Sequence, residues 1–158
     1  MVQLANMIES GRGDFELIPK LGYWKDGSPK FTKENFNYGD INTRNFPDYT
    51  PFVIEELLDK YSLANNQIYR YTRPYPRVMI IITARSCPFN CRFCVHQRGD
   101  KYRARSIENI IEEIRFLYEK YHFNLLSIQD ELFAGNEKRF KEFCNAISFF
   151  KENAGVGF

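Results

Sequence analysis

Three cysteines on one short stretch are the residues of this chain best suited to chemistry. Cys87, Cys91 and Cys94 have the spacing Cys-x3-Cys-x2-Cys, while the fourth cysteine, Cys144, lies far along the chain. Thiols crowded in this way form a poor disulfide framework when the N-terminus shows no export signal. We therefore expect a metal or redox centre on this loop and a cytoplasmic protein.

Three thiolates on one loop can hold three irons of a 4Fe–4S cluster. Pro88 and Asn90, which lie between the cysteines, favour the tight turns that a loop needs to curl around such a cluster. Four cysteines usually hold a cluster of this type. A three-cysteine motif therefore leaves the fourth iron open to a ligand from outside the protein.

Two other interpretations of the cysteines stay open. The loop could be a non-catalytic structural zinc site, for which His96 or Cys144 would have to supply the fourth ligand that structural zinc prefers. It could also belong to an iron–sulfur electron-carrier module, although such a module usually has Cys-x2-Cys-x2-Cys spacing and a fourth cysteine. Cys144 falls on the apolar face of a predicted helix, which indicates a core residue.

The elements around the loop follow a regular order. Residues 78–83 form an apolar, β-branched run that predicts a strand covered on both faces. Ser106 is a predicted N-cap of a strongly amphipathic helix. The sequence then predicts a strand at 125–128, a helix from Asn136 or Glu137, and a third strand beginning at 156–158. Strands alternating with helices are typical of a parallel α/β sheet or barrel.

The first third of the chain is less regular. The sequence predicts a helix over residues 2–10, two short extended pieces joined at Asp26-Gly27, and a helix over residues 51–61. The net charge of +2 in 158 residues favours no nucleic-acid partner, and no apolar run has the length of a membrane span. We expect a piece of a longer enzyme.

The cysteine loop resembles that of the radical SAM superfamily. The family pattern is Cys-x3-Cys-x-aromatic-Cys after the first strand of a parallel barrel, and Phe93 fills the aromatic position. The resemblance implies a 4Fe–4S cluster whose open iron binds S-adenosylmethionine (SAM). Reductive cleavage then yields methionine and a 5′-deoxyadenosyl radical. It also implies that Phe93 packs near the SAM adenine and that a flavodoxin- or ferredoxin-type donor supplies the electron for an unknown small-molecule substrate.

Two further features follow from the same resemblance. An acidic motif after the second strand contacts the SAM methionine amino group in the family, and Glu131, with Asp130, is the candidate here. The segment 102–106 is also similar to the family. Many relatives have glycine before the first cysteine, where this chain has Ser86. The fold tolerates that difference if the backbone is extended at this point.

Within the superfamily, the chain resembles the class that has a cobalamin-binding domain before the barrel. Residues 1–27 and 46–49 are similar to the tail of that domain and its linker. The resemblance implies a division into an upstream-domain tail (1–35), a linker (36–77) and the N-terminal part of a TIM-like (β/α) barrel (78–158). It implies cobalamin-dependent methyl transfer or cyclisation. Because later barrel strands lie outside these residues, we expect the fragment to be inactive alone.

Overall fold

The computed structural model describes residues 2–33, 39–69, 73–89, 91–94, 101–155 and 157–158, except for the side chains of residues 2 and 63–69. The chain divides into two compact units, Met1–Gly39 and Asp40–Phe158. None of the helices in the described part of the chain combines the length and apolar character needed to cross a membrane.

The first unit contains a helix and a hairpin, as the sequence predicts. Helix α1 spans Val2–Glu9. Strands β1 (Gly22–Lys25) and β2 (Ser28–Phe31) pair in antiparallel fashion. Asp26 and Gly27 have φ angles of 51° and 69°. Positive φ at both central positions is the mark of a type I′ turn, whose twist matches that of the two strands.

The second unit contains three longer helices: α2 (Ile54–Tyr69), α3 (Ile107–Tyr121) and α4 (Glu137–Ala154). The predicted N-cap Ser106 is confirmed, and the helix predicted to begin at Asn136 or Glu137 begins at Glu137 with Asn136 as its N-cap. The side chain of Ser106 accepts a hydrogen bond from the backbone N–H of Asn109, and that of Asn136 accepts one from Arg139. Helix α2 begins later and ends later than the predicted 51–61.

Two strands of the second unit form the predicted parallel pair. Strand β3 (Val78–Ile81) lies beside β6 (Leu125–Ile128), with Ile81 opposite Ile128. On one face, Met79 and Ile81 pack on apolar side chains from α3 and α4. The other face is not covered in the described part of the chain, since Ile80 is 50% exposed. Among the described residues the first strand is thus packed against helices on one face only, because α3 and α4 lie on the same face, and full cover of its other face stays a prediction.

The architecture is mixed α/β, and the described residues form four α-helices and three two-stranded sheets with no closed barrel. Val156 lies outside the described residues, and Gly157 and Phe158 are not in a strand. The Phe158 ring instead packs on that of Phe123, with centroids 5.0 Å apart. The two βα units are present in the predicted order, and the partial barrel remains a hypothesis.

Residues 40–53 pack against the same α/β layer. The Asn42 side chain accepts a hydrogen bond of 2.7 Å from the backbone N–H of Ser106, at the start of α3. The rings of Tyr49 and Tyr121 meet edge to face at 6.1 Å. These contacts place the start of α3, and with it the exit of the cysteine loop, against the segment that precedes α2.

Candidate functional site

A short antiparallel ladder closes the cysteine loop at its base. Strand β4 (Ala84–Arg85) pairs with β5 (Arg103–Ala104), so that Arg85 lies opposite Arg103. The three cysteines therefore lie on a loop whose entry and exit are held side by side. Sequence reasoning missed this ladder, because two-residue strands are too short to produce a periodic pattern.

Thr83, at the entry of the loop, forms hydrogen bonds with residues from three other segments of the chain. The residue is fully buried. Its backbone N–H donates to the Asp130 carboxylate at 2.6 Å, and its hydroxyl donates to the same carboxylate. Its carbonyl accepts from the backbone N–H of Arg105 at 2.9 Å and from Nη2 of Arg139 at 3.1 Å. Asp130 just after β6, Arg139 on α4 and Arg105 at the loop exit thus fix Thr83, the residue between β3 and β4.

The two acidic residues predicted to contact SAM lie in different surroundings. Oδ1 of Asp130 accepts the backbone N–H groups of Thr83 at 2.6 Å and Ala84 at 3.0 Å, and Oδ2 accepts the Thr83 hydroxyl. Glu131 is exposed, and its carboxylate makes no hydrogen bond or ion pair with the described part of the chain. The structure therefore assigns Asp130 hydrogen bonds to the loop entry that sequence reasoning did not foresee. Contact of either residue with SAM stays a prediction.

Arg139 is a second residue that the sequence did not single out. Its Nη2 donates to both the carbonyl and the hydroxyl oxygen of Thr83 at 3.1 Å, and its guanidinium lies 5.9 Å from the centroid of the Phe133 ring. Its Nε and Nη1 atoms are buried and have no hydrogen-bond partner among the described residues. Helical periodicity reports apolar positions, so it carries no signal for a buried arginine of this kind.

The loop exit is held by Arg105. Its Nη1 donates to the Ile82 carbonyl at 3.0 Å and pairs with Glu113 on α3, and its Nε donates to Asn109 Oδ1 at 2.8 Å. The guanidinium also lies 5.7 Å from the ring centroid of Phe46. The contacts of Arg105 thus join the residue that follows β3, helix α3 and Phe46 directly beside the base of the cysteine loop.

The cysteines themselves are accessible free thiols. Cys87 is partly exposed, and Cys91 and Cys94 are exposed. The backbone N–H of Cys94 donates to the carbonyl of Cys91 at 3.2 Å, which forms a turn between them. Asn90 and His96 lie outside the described residues. Among the residues that are described, no three His, Cys, Asp or Glu side chains form a group that could hold a metal ion.

The donor set is chemically suited to a thiolate-bound metal. Three accessible sulfur ligands on one loop match the soft ligands that iron–sulfur clusters and zinc take. Cys144, by contrast, is partly buried and packs against the hydrophobic core. That position agrees with its interpretation as a core residue. The role of Cys87, Cys91 and Cys94 as metal ligands stays a prediction.

Ser86, which directly precedes the first cysteine, has a φ angle of 66°. The condition under which serine would be tolerated here, an extended backbone, is therefore not met. The chain leaves β4 through a left-handed conformation, which costs an L-residue about 1–2 kcal/mol and costs glycine nothing. This geometry gives a physical reason for glycine to occupy the position in proteins with a similar loop.

Phe93 is 89% exposed, so its ring is not part of the described core.

A cavity of about 190 Å³ next to the loop base is lined in part by Ile80, Arg85 and Arg105. A larger groove of about 1070 Å³ lies between α3 and α4 and contains no residue of the cysteine loop among those that line it. Although this groove has the larger volume, it does not adjoin the cysteine loop, so we do not assign the functional site to it.

Comparisons with known proteins find similarity to three enzymes over part of the chain. The chain is 39% identical over 62 residues to an uncharacterized methyltransferase of Pyrococcus horikoshii, which is 38% of this chain and 14% of that protein. It is 30% identical over 95 residues to the anaerobic magnesium-protoporphyrin IX monomethyl ester cyclase of Cereibacter sphaeroides, covering 60% of this chain and 16% of the cyclase.

The third relative is the cytidylyl-2-hydroxyethylphosphonate methyltransferase of Streptomyces wedmorensis, 28% identical over 119 residues, which is 72% of this chain and 20% of the relative. The chain thus spans between 14% and 20% of the length of these relatives. No protein-family profile matches the chain, and no solved structure matches it significantly. All three relatives are named as enzymes, two as methyltransferases and one as a cyclase.

Proposed function

We propose that this chain is part of a radical SAM enzyme in which Cys87, Cys91 and Cys94 hold a 4Fe–4S cluster. The observation that carries the proposal is the Cys-x3-Cys-x-aromatic-Cys spacing on a loop that leaves the carboxyl end of the parallel strand β3. Ligand sites of parallel α/β folds lie at that end of the strands. Partial similarity to two methyltransferases and a cyclase supports an enzyme of this kind.

The chain supplies three sulfur ligands, which leaves one iron of the cluster open. When bound, the cluster with SAM on that iron supplies the electron that cleaves SAM to methionine and a 5′-deoxyadenosyl radical. The protein's part is to hold and orient these groups. The ladder between β4 and β5 and the contacts of Thr83 keep the loop entry and exit together, which restricts the space that the three thiolates can sample.

Phe93 and Glu131 are the proposed contacts with SAM. An exposed aromatic ring next to Cys94 offers a flat apolar surface against which an adenine can pack. The exposed Glu131 carboxylate, directly after Asp130 at the carboxyl end of β6, can accept hydrogen bonds from the ammonium group of the methionine part. Asp130 remains a candidate for the same contact, although its oxygens already accept three hydrogen bonds.

The reaction proposed for the whole protein is methyl transfer or cyclisation on a small-molecule substrate. The names of the three relatives include both reaction types. In this proposal, residues 1–35 belong to an upstream cobalamin-binding domain, residues 36–77 form the linker, and a flavodoxin- or ferredoxin-type protein of the cytoplasm donates electrons. The partial barrel of residues 78–158 needs further strands to complete the SAM pocket.

Cleavage of SAM tests the proposal. The full-length protein containing this chain is reconstituted anaerobically with iron and sulfide, reduced with dithionite and incubated with SAM. Formation of 5′-deoxyadenosine and methionine is measured by mass spectrometry. We expect the product in the unchanged protein and in Cys144→Ala, and its loss in Cys91→Ala. A protein that carries its full complement of iron and binds SAM, yet forms no 5′-deoxyadenosine, contradicts the proposed function.

A further inference from the structure

The hydrogen bonds of Asp130 point to the loop rather than to a ligand. Two of its three donors are the consecutive backbone N–H groups of Thr83 and Ala84, both bound to Oδ1. These residues form the junction between β3 and β4, where the cysteine loop begins. The third donor is the Thr83 hydroxyl, bound to Oδ2. A carboxylate that accepts backbone N–H groups forms stronger hydrogen bonds than a neutral acceptor.

The distance along the chain from this junction to the first thiol is short. Ala84 and Cys87 are separated by only Arg85 and Ser86. A fully extended chain advances at most about 3.6 Å per residue, so the Cα of Cys87 lies within about 11 Å of the Cα of Ala84. Ser86 is in the left-handed region, which shortens the reach further. Fixing Ala84 therefore restricts the position of Cys87 more than that of either later cysteine.

We propose that Asp130 is a positioning residue for the metal centre, which it serves by fixing the entry of the cysteine loop and thereby Cys87. This inference rests on the proposed function. It divides the acidic pair: Asp130 holds the loop, and the exposed Glu131 is the member left for contact with SAM. Arg139 acts with Asp130, since its Nη2 binds the carbonyl and hydroxyl oxygens of the same Thr83.

The two roles of Asp130 respond differently to a neutral replacement. In Asp130→Asn the amide oxygen can still accept the two backbone N–H groups, and the Thr83 hydroxyl can accept the new amide N–H. In Asp130→Ala both acceptors are lost. A positioning residue is therefore largely rescued by asparagine. A residue that binds the cationic methionine end of SAM through its charge is not rescued, and its loss leaves cluster assembly unchanged.

The test compares the chain with its Asp130→Asn and Asp130→Ala variants after anaerobic reconstitution with iron and sulfide, without SAM. Asp14→Ala is the control, because Asp14 is exposed and its side chain makes no cap hydrogen bond. Iron per chain and the half-life of the visible band in air are measured. We expect the iron content and the half-life of the band to fall several-fold in Asp130→Ala. In Asp130→Asn and in the control, both should stay close to their values in the unchanged chain.

Amide hydrogen exchange of the apo chain gives a readout that needs no metal. Exchange at Thr83 and Ala84 is expected to accelerate by about tenfold or more in Asp130→Ala, as removal of a charged acceptor requires, and to change little in Asp130→Asn. Equal iron loading in the unchanged chain and Asp130→Ala overturns this inference while leaving the proposed function intact. So does equal loss in Asp130→Asn and Asp130→Ala. Absence of iron from the unchanged chain rejects the proposed function itself, and this inference with it.

Discussion

Arg105 and Glu113 form an ion pair whose side chains are only 10% and 3% exposed. The pair lies where the cysteine loop returns to the fold. Nη1 of Arg105 also donates to the Ile82 carbonyl, and its Nε donates to Asn109. A buried arginine with this many acceptors is held in one geometry. The exit of the loop, like its entry, is therefore held by buried hydrogen bonds.

Breaking this pair from one side is expected to be costly. Glu113→Ala leaves the Arg105 guanidinium buried without its counter-charge, so we expect a loss of about 3–5 kcal/mol in the free energy of unfolding. Urea denaturation of the apo chain measures it. The double variant Arg105→Met/Glu113→Leu removes both charges, and we expect it to lose less free energy of unfolding than Glu113→Ala. Glu112→Ala, at the exposed neighbouring position, is the control and is expected to stay within about 0.5 kcal/mol. If Glu113→Ala lowers the free energy of unfolding as little as the control does, the buried ion pair is contradicted.

The left-handed backbone at Ser86 predicts a stabilising substitution. Ser86→Gly removes about 1–2 kcal/mol of conformational strain and costs part of that in unfolded-chain entropy, so we expect a net gain of about 0.5–1 kcal/mol. Ser86→Val is expected to destabilise, because a β-branched side chain fits this conformation poorly. The matched control is Ser127→Gly within β6, for which a loss is expected. Thermal unfolding of the apo chain distinguishes them, and a loss of stability in Ser86→Gly would count against the assigned conformation.

Substitution of an exposed and of a buried phenylalanine distinguishes a role in ligand binding from a role in core packing. Phe93 is 89% exposed and Phe123 is 1% exposed. We expect Phe93→Ala to leave the free energy of unfolding within about 0.5 kcal/mol, and Phe123→Ala to lower it by about 3–5 kcal/mol. In the full-length protein, Phe93→Ala is expected to load iron normally and to bind SAM more weakly. Calorimetry with SAM measures that difference. Unchanged affinity would remove Phe93 from the proposed adenine contact.

The first unit contains an exposed ion pair with a predictable pH response. The Lys25 ammonium donates to the Glu16 carboxylate at 2.8 Å and, with a smaller contribution from Tyr23, holds the pKa of Glu16 below its ordinary value of 4.5. The pair's contribution to stability is therefore present above pH 4.5 and is lost as the pH falls through the lower, folded-state pKa. Salt weakens it, because both groups are exposed.

An NMR titration of the Glu16 carboxyl carbon measures this pKa. Lys25→Met is expected to return the pKa of Glu16 towards its ordinary value. Lys30→Met, on the adjacent strand of the same hairpin, serves as the control and is expected to leave the pKa of Glu16 where it is. If the two variants give the same value, the contact between Lys25 and Glu16 is not formed in solution.

The sequence predicted those parts of the fold that depend on local pattern. The N-cap Ser106, the start of α4 at Glu137, the parallel strands β3 and β6, and the turn at Asp26-Gly27 are all confirmed. Each of them follows from periodicity, capping or turn chemistry within a few residues. The spacing of the cysteines likewise needs only the sequence.

The sequence could not predict the contacts that hold the loop. Thr83, Asp130 and Arg139 come from three separate segments of the chain, and their hydrogen bonds depend on the tertiary arrangement alone. The left-handed backbone at Ser86 was missed because serine is not a residue that usually marks such a position. The exposure of Ile80 was missed because an apolar run does not say how many layers will cover it.

Metal content after anaerobic reconstitution tests the central claim most directly. The chain is supplied with iron, sulfide and zinc together, and bound metals are counted alongside the visible spectrum. We predict about four irons per chain and a broad band at about 400 nm. Both should be lost in alanine variants of Cys87, Cys91 and Cys94 and kept in Cys144→Ala. Tightly bound zinc with no iron chromophore would contradict it.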